Sequence, residues 1–442
     1  MAKRSLIIIP VLMLLFGLVA EAGAGEMDVL VNKLVEKGIL TPYEAQILIA
    51  DAKQEAAKEL AEGTAVTAPS WTQKIKMKGD VRFRTQTDWG KGLGPAHERI
   101  RQRVRARLGI EGKVNEEVAA GILAVSGGND PRSTNQTLDD DFETYDFRLD
   151  CYYIKWTPEL SEGVGDGTLW LGKFKNPLVK SELMWDGDIC PGGMAAQYMS
   201  DPFEIMDIST NLYSNGGMFW LDEMGTSQRD PLLFVIQGGM VMDVFPEWDS
   251  TLNLGVAYYD FGKVNGNQSY GYDFSAGTNS LWGGQLGNTY RYDFNIIDLI
   301  FMYDSKTFFG FDLGNGVYGD FIWNPPAENK NFGWQLGAYI GTRKPKKPGQ
   351  WKLWGEFRYL GRDAVPDFLP DSDFYGFTTQ GRPRGGGTNG LGVNFGGTYA
   401  IFKNTTLNAE YYWCEAINVE TGLDNDYDEP YQLLQLDVKT KF

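Results

Sequence analysis

The sequence predicts an all-β transmembrane protein, an antiparallel β-barrel of about sixteen strands preceded by a signal peptide and a short periplasmic helical segment. Three observations carry that reading. Segments in which polar and apolar residues strictly alternate recur from Trp71 onward, the period of a strand with one wet and one apolar face. Their connections alternate between tight turns and long Gly/Asp/Asn-rich loops. The composition is 14% aromatic with 54 glycines and one histidine, so there is ample apolar area to bury, and disorder is excluded.

Taken in order, residues 1–24 read as a targeting segment. Lys3 and Arg4 form a basic start, Leu6 to Ala20 an apolar stretch, and Ala20-Glu21-Ala22 or Ala22-Gly23-Ala24 a small-residue cleavage site. The stretch is shorter than the ~18 to 20 residues of a membrane-spanning helix, although a retained anchor is its rival reading. Residues 25–70 form a helical segment and tether. Leu30, Leu34, Ile47 and Leu48 follow helical spacing, and Thr41-Pro42-Tyr43-Glu44 supplies an N-cap, a first-turn proline and a capping glutamate. The segment is a mobile hairpin or linker, or else an oligomerising coil or cell-wall contact. Gly63 to Ser70 then reads as a tether.

The barrel occupies residues 71–442. In its first strand Lys74, Lys76, Lys78, Asp80, Arg82, Arg84, Gln86 and Asp88 alternate with Ile75, Met77, Val81, Phe83 and Trp89. In the second, Arg99, Arg101, Arg103, Arg105 and Arg107 alternate with Ile100, Gln102, Val104, Ala106 and Leu108. Further segments are expected near 116–126, 146–156, 167–175, 192–199, 211–223, 231–244, 250–261, 291–303, 308–323, 331–342, 350–362, 387–402, 405–418 and 430–442. Tight turns at Val114-Asn115-Glu116 and Lys403-Asn404 contrast with long loops at 262–290 and 363–386, the asymmetry of outer-membrane barrels. Trp89, Trp156, Trp170, Trp323, Tyr359 and Trp413 fall near segment ends, as interfacial girdles require. A soluble sandwich would need far fewer strands in one core. The last segment places Leu434, Leu436, Val438, Thr440 and Phe442 outward and Gln435, Asp437, Lys439 and Lys441 inward. Ending on Phe442, it resembles the signal read by the barrel-assembly machinery.

The arginines point to a lumen. Alternate residues on a strand lie ~6.8 Å apart, so neighbouring guanidinium groups repel by about 0.6 kcal/mol even in water. Facing lipid near the midplane, each would cost ~2 to 4 kcal/mol. Arg99, Arg101, Arg103, Arg105 and Arg107 therefore face inward beside Arg82 and Arg84. They either set ion selectivity or, balanced by acidic neighbours, fill space. Lys173 and Lys175 are expected to add positive charge to the lumen.

Other chemistry is weakly represented. The net charge of -17 argues against a general nucleic-acid partner. One histidine (His97) and three cysteines (Cys151, Cys190, Cys414) offer no haem motif and no zinc-ligand spacing, so no cofactor and no metal are expected. The odd cysteine count leaves at least one thiol unpaired. Asp424-Asn425-Asp426-Tyr427-Asp428-Glu429 starts like a calcium loop but has neither glycine at the sixth place nor an acid at the twelfth. Gly385-Gly386-Gly387 is not followed by Lys-Ser or Lys-Thr, so it is no phosphate-binding loop. With no nucleophile constellation near His97, an enzyme is disfavoured.

The signal peptide, the run Leu30-Val31-Asn32-Lys33-Leu34-Val35-Glu36-Lys37-Gly38-Ile39-Leu40-Thr41-Pro42-Tyr43-Glu44-Ala45 and a barrel ending in Phe442 together resemble the putative porins of Gram-negative outer membranes. The chain resembles more weakly the phosphate-selective porins, which also carry a helical N-terminal segment. The resemblance implies an outer-membrane channel for passive diffusion of small ions and solutes, built as a homotrimer, with outer-membrane lipid, lipopolysaccharide and the barrel-assembly machinery as partners. In trimeric porins the connection after the fifth strand folds into the lumen. By that resemblance Glu182, Asp186 and Asp188, in residues 176–193, would oppose the arginine wall; the alternative is an ordinary external loop. The local arginines, set against the overall negative charge, predict a mild preference for anions. A different class of function also fits a basic lumen: a barrel that sleeves or anchors an envelope complex such as an electron-transfer conduit.

Overall fold

A computed structural model describes residues 74–90, 98–223, 230–265, 277–282, 289–374, 376–377, 383–384, 386–418 and 430–442. The expected signal peptide, the helical segment, His97 and the acidic stretch 424–429 lie outside these residues.

One antiparallel sheet contains eighteen strands, of which Gln136–Thr137 and Phe203–Ile205 are short additions. The remaining sixteen form the wall: β1 (Ile75–Trp89), β2 (Glu98–Lys113), β3 (Val118–Ser126), β4 (Phe147–Trp156), β5 (Asp166–Lys173), β6 (Gly192–Met199), β7 (Ile208–Trp220), β8 (Leu232–Phe245), β9 (Ser250–Gly262), β10 (Asn295–Ser305), β11 (Asn315–Trp323), β12 (Phe332–Gly341), β13 (Trp351–Leu360), β14 (Gly390–Phe402), β15 (Thr405–Ala416) and β16 (Tyr431–Lys441). Each pairs with its sequence neighbour. The ring closes where β16 runs against β1, from Asp80 opposite Lys441 to Trp89 opposite Gln432. Closure leaves no open edge, so every strand finds both hydrogen-bonding partners without water. At the seam the Gly79 N–H donates to the Phe442 carbonyl at 2.9 Å, and the Phe442 N–H returns the bond at 3.0 Å.

Alternation sorts the two faces as the sequence predicts. Val81 and Phe83 are 53% and 45% exposed on the outside, whereas Arg82 and Arg84, one step away, are buried inside. The outer face of β16 carries Leu436, Val438 and Phe442, all exposed. Connections at one end are short: 114–117, 246–249 and 403–404. Asn115 accepts the N–H groups of Glu117 and Val118 through its side chain, and Asn404 takes a positive φ of 59°, which asparagine tolerates in tight turns. Connections at the other end, such as 127–146, 174–191, 263–294 and 361–389, are long. In outer-membrane barrels the short turns face the periplasm.

Three details differ from the sequence reading. The eleventh strand starts at Asn315 rather than near 308, because Phe308 and Phe311 close a small separate turn. Trp170 is no girdle residue: it packs inside against Tyr153 and Phe174, with ring centroids 5.3 and 5.7 Å away. Its register opposite the inward Lys155 sends it to the lumen. Finally, the long loop expected at 363–386 turns inward over its first part. Ala364, Val365 and Leu369 are buried in the main apolar cluster of the lumen.

Candidate functional site

Residues 174–191, between β5 and β6, fold into the barrel. Leu178, Leu183, Met184, Trp185 and Ile189 give the segment an apolar face. That face packs on inward residues of the far wall: Phe219 of β7, Leu233 and Val235 of β8, Tyr259 and Phe261 of β9, Ile296 of β10 and Ile322 of β11. Trp185 is the anchor, its ring 6.4 Å from Phe219 and 6.5 Å from Tyr259. Polar contacts fix the register. Val179 exchanges two hydrogen bonds with the Gln237 amide, at 2.9 and 2.6 Å, and Ser181 donates to Asp320. Lys180 closes the turn by donating to the carbonyls of Trp185 and Asp186.

The segment after β13 braces it from the other side. The Asp186 N–H donates to the Leu369 carbonyl at 2.7 Å, and the Asp371 N–H to the Glu182 carbonyl at 3.1 Å. The Ser372 N–H donates to the Asp186 carboxylate at 2.9 Å. Arg358 of β13 binds Asp371 at 2.6 Å and Glu356 at 2.5 Å. Two inward segments thus share one polar seam.

The arginine wall stands opposite. Its rungs interleave with acids and amides of adjoining strands, which offsets the mutual repulsion of like charges. Arg84 grips Asp437 of β16 through two bonds of 2.7 and 2.9 Å; Arg82 lies 3.6 Å from the same carboxylate. Arg105 and Arg107 share Asp80, each at 2.7 Å. Arg101 meets Asp88 at 3.1 Å, and Arg103 donates to Gln86 at 3.1 Å. Among the ion pairs of the described residues, Asp188 of the inward segments reaches Arg107 of this wall at 3.2 Å, and Asp373 reaches Arg84 at 3.4 Å.

Between wall and segments lies a cavity of about 470 Å³. Among its lining residues are Arg82, Arg84 and Arg105 on one side and Glu182, Asp186 and Asp188 on the other. Arg99 sits exposed at the outer end of β2 and Lys175 lines a separate cavity. Lys173 and Lys175 approach Asp150 at 3.7 and 3.6 Å rather than the constriction. Further charges complete the lining: Arg132 from the loop after β3, Lys180 of the first inward segment, Lys352, Glu356 and Arg358 from β13, Asp371 and Asp373 from the segment after it, and Glu410 from β15. Sequence reasoning missed these. Lys352, Glu356 and Arg358 were accessible from parity, since they alternate with Leu353, Gly355 and Phe357 on one strand. Arg132, Asp371 and Asp373 enter through loop folding and carry no periodic signal.

Formally the cavity's lining holds as many cations as acids, but enclosure changes that balance. Burial, reinforced by Asp371 and Glu182, holds the Asp186 carboxyl well above the usual carboxylate range. Burial likewise raises Asp371 despite Arg358. Burial pushes Glu182 up to about 7; Asp371 adds to the shift, while Lys180 and Arg358 oppose it. For Asp373 burial works in the same direction, but Arg84 and Arg103 outweigh it and hold the carboxyl below its ordinary value. Asp373, beside Arg84, is thus held towards its ionised form, whereas burial favours the neutral forms of Glu182, Asp186 and Asp371.

No curated protein matches the chain. Several solved structures are similar in fold: OmpF of Salmonella typhi in complex with daunomycin (11% identity, 83% of this chain and 97% of that chain, TM-score 0.44), outer-membrane expressed OmpT of Vibrio cholerae (11% identity, 83% and 97%, TM-score 0.41), and a triple mutant of the Rhodopseudomonas blastica porin (12% identity, 83% and 100%, TM-score 0.41). A family model described as "Putative porin" matches residues 93–285 and 285–442. With most of its length matched by that model and its strands closed into a sixteen-stranded ring, this outer-membrane β-barrel belongs to the putative porin family.

Proposed function

We propose that the chain forms a passive diffusion channel for small hydrophilic solutes and ions, with a mild preference for anions, and that it works as a homotrimer. The observation that carries the proposal is the cavity between the arginine wall and the inward segments. Fixed guanidinium groups lie on one side and carboxylates on the other, so a polar solute crossing it meets a transverse field. Burial favours the neutral forms of Glu182, Asp186 and Asp371, which weakens the acidic side of the lining against the fixed guanidinium groups. That imbalance favours anions even though the whole chain is acidic. The trimer rests on the resemblance to trimeric porins.

A sleeve for a partner protein is less compatible with this interior. Residues 174–191 and 361–374 occupy the space that a threaded partner would need, and Trp185 and Val365 are fully packed there. Single-channel recording of the purified protein in planar bilayers, with a salt gradient for the reversal potential, tests the proposal. Discrete ohmic steps with a reversal potential of anionic sign are expected. A silent barrel or cation selectivity at neutral pH would refute it.

A further inference from the structure

Asp150, Cys151 and Cys190 meet at the root of the inward segment. β4 carries a bulge at this point: Leu123 pairs with Cys151 and Ala124 with Leu149, leaving Asp150 as the extra residue. A bulge re-aims side chains that strict alternation would separate, and here Asp150 and Cys151 are both buried. Cys190 comes from the far end of residues 174–191, next to Pro191, whose carbonyl accepts the Phe174 N–H at 3.1 Å. Cys190 Sγ lies 3.2 Å from Asp150 Oδ2, and Cys151 Sγ lies 3.9 Å from the same oxygen. All three ligand atoms fall within 4.8 Å of one another.

Tetrahedral zinc, with bonds of about 2.3 Å to sulfur and about 2.0 to 2.2 Å to oxygen, places sulfur and oxygen ligands ~3.5 Å apart and two sulfurs ~3.8 Å apart. The two sulfur–oxygen separations straddle the first value. We propose that Asp150, Cys151 and Cys190 form a binding site for a thiophilic divalent d¹⁰ cation, zinc or cadmium, which pins the root of the inward segment to β4. The carboxylate and two thiolates supply three ligands. A cavity of about 380 Å³, lined in part by Cys151, Lys175 and Arg107, gives an entry path and room for water as the fourth.

The charges balance. One dication enters as the two thiols release two protons, so the net charge of the cluster is unchanged. Lys173 and Lys175, which lie near Asp150, therefore face no added positive charge. Thiolate ligands select such soft or borderline ions over magnesium or calcium. The site is independent of what the channel conducts.

The test is cadmium titration of the full-length, detergent-solubilised protein after reduction with a phosphine, following the ultraviolet thiolate-to-cadmium charge-transfer band. The band should saturate at one ion per chain in wild type. It should vanish in Cys190→Ser, and Asp150→Asn, which keeps both thiols, should bind at least about tenfold more weakly. Heat-modifiable gel mobility verifies that each variant is folded, and the wild-type titration is decisive if one is not. No saturation at one ion per chain, or unchanged binding in Cys190→Ser, would overturn the proposal. So would a Cys151–Cys190 disulfide that re-forms in place of metal uptake.

Discussion

If the chain conducts as proposed, Glu182 should make its selectivity depend on pH in a calculable way. A cavity of about 470 Å³ has an equivalent radius of roughly 5 Å, so an ion near its centre feels one lining charge by about 0.8 kcal/mol in water. Cations and anions feel opposite signs, which doubles the difference to about 1.7 kcal/mol. At 0.1 M salt the Debye length of about 10 Å reduces this to about 1.0 kcal/mol. Glu182 titrates at about 7, so between pH 8 and pH 6 its ionised fraction falls from about 0.9 to about 0.1. Protonation removes a negative charge. The anion-to-cation permeability ratio should therefore rise about fourfold as pH drops across that range, and by less than about twofold in 1 M salt, where the Debye length is about 3 Å. Glu182→Gln is close to isosteric and gives up the bond from the Gly187 N–H, 3.0 Å away, in its charged form only. It should abolish the pH dependence and hold the ratio at its acid value. The assay is the reversal potential in a salt gradient at each pH. An unchanged pH dependence in Glu182→Gln, or a wild-type shift towards cations on acidification, refutes the reasoning.

Three further outcomes are expected. Trp185→Ala removes the anchor of the inward segment, a loss of about 3 to 5 kcal/mol of packing by the usual scale of large-to-small changes; conductance and current noise should rise while heat-modifiable mobility, which reports the wall, stays normal. Deleting Phe442 removes an exposed aromatic and both backbone hydrogen bonds with Gly79, and replacing it with a charged residue removes the aromatic alone; in either case synthesis and export should persist while assembled protein in the outer membrane falls, as measured on unheated gels. Changing Arg103 and Arg105 together to Glu should move reversal potentials towards cations, and an unaltered potential would show that the ladder does not control permeation. Because Arg105 is bonded to Asp80, that pair of changes also brings carboxylates together and should lower the yield of folded barrel.

The wall was legible in the sequence because lipid enforces parity. A misplaced arginine facing the bilayer is costly, so Arg101 to Arg107 could only point one way. Their partners were not legible. Asp437 reaches Arg84 only because β16 closes on β1, a long-range pairing that no local pattern announces. The inward course of 174–191 was available only by resemblance, and that of 361–374 not at all. Its signal was a run of apolar residues, Ala364, Val365, Phe368 and Leu369, in a connection otherwise rich in Asp, Gly and Pro. Such residues mean little until the wall of β7 to β11 is seen to offer an apolar surface that needs covering. Trp170 was misplaced for a related reason: position near a strand end says nothing about face, and register decides it.

The division of the lumen into an apolar half and a charged half explains how a constriction forms without neutralising itself. Had the inward segments docked through their carboxylates, every ion pair would have consumed a guanidinium that a permeating anion could use. Asp371 does pair with Arg358 of β13, but most of the docking runs through Leu183, Met184, Trp185, Ala364 and Val365 against residues such as Phe219, Tyr259 and Ile322. Hydrophobic contact holds the segments without regard to charge, so carboxylates cross to the arginine wall only at Asp188 and Asp373 among the ion pairs described. Those two contacts tie the segments to the arginine wall, and Glu182, whose carboxyl burial pushes up to about 7, is left to titrate. The formal charge of -17 is then a poor guide to permeation. Screening at physiological salt acts over about 8 Å, so an ion in the cavity responds to the few groups that face it. What it meets is set by which carboxylates the apolar packing leaves ionised, and Glu182 is the one poised to change.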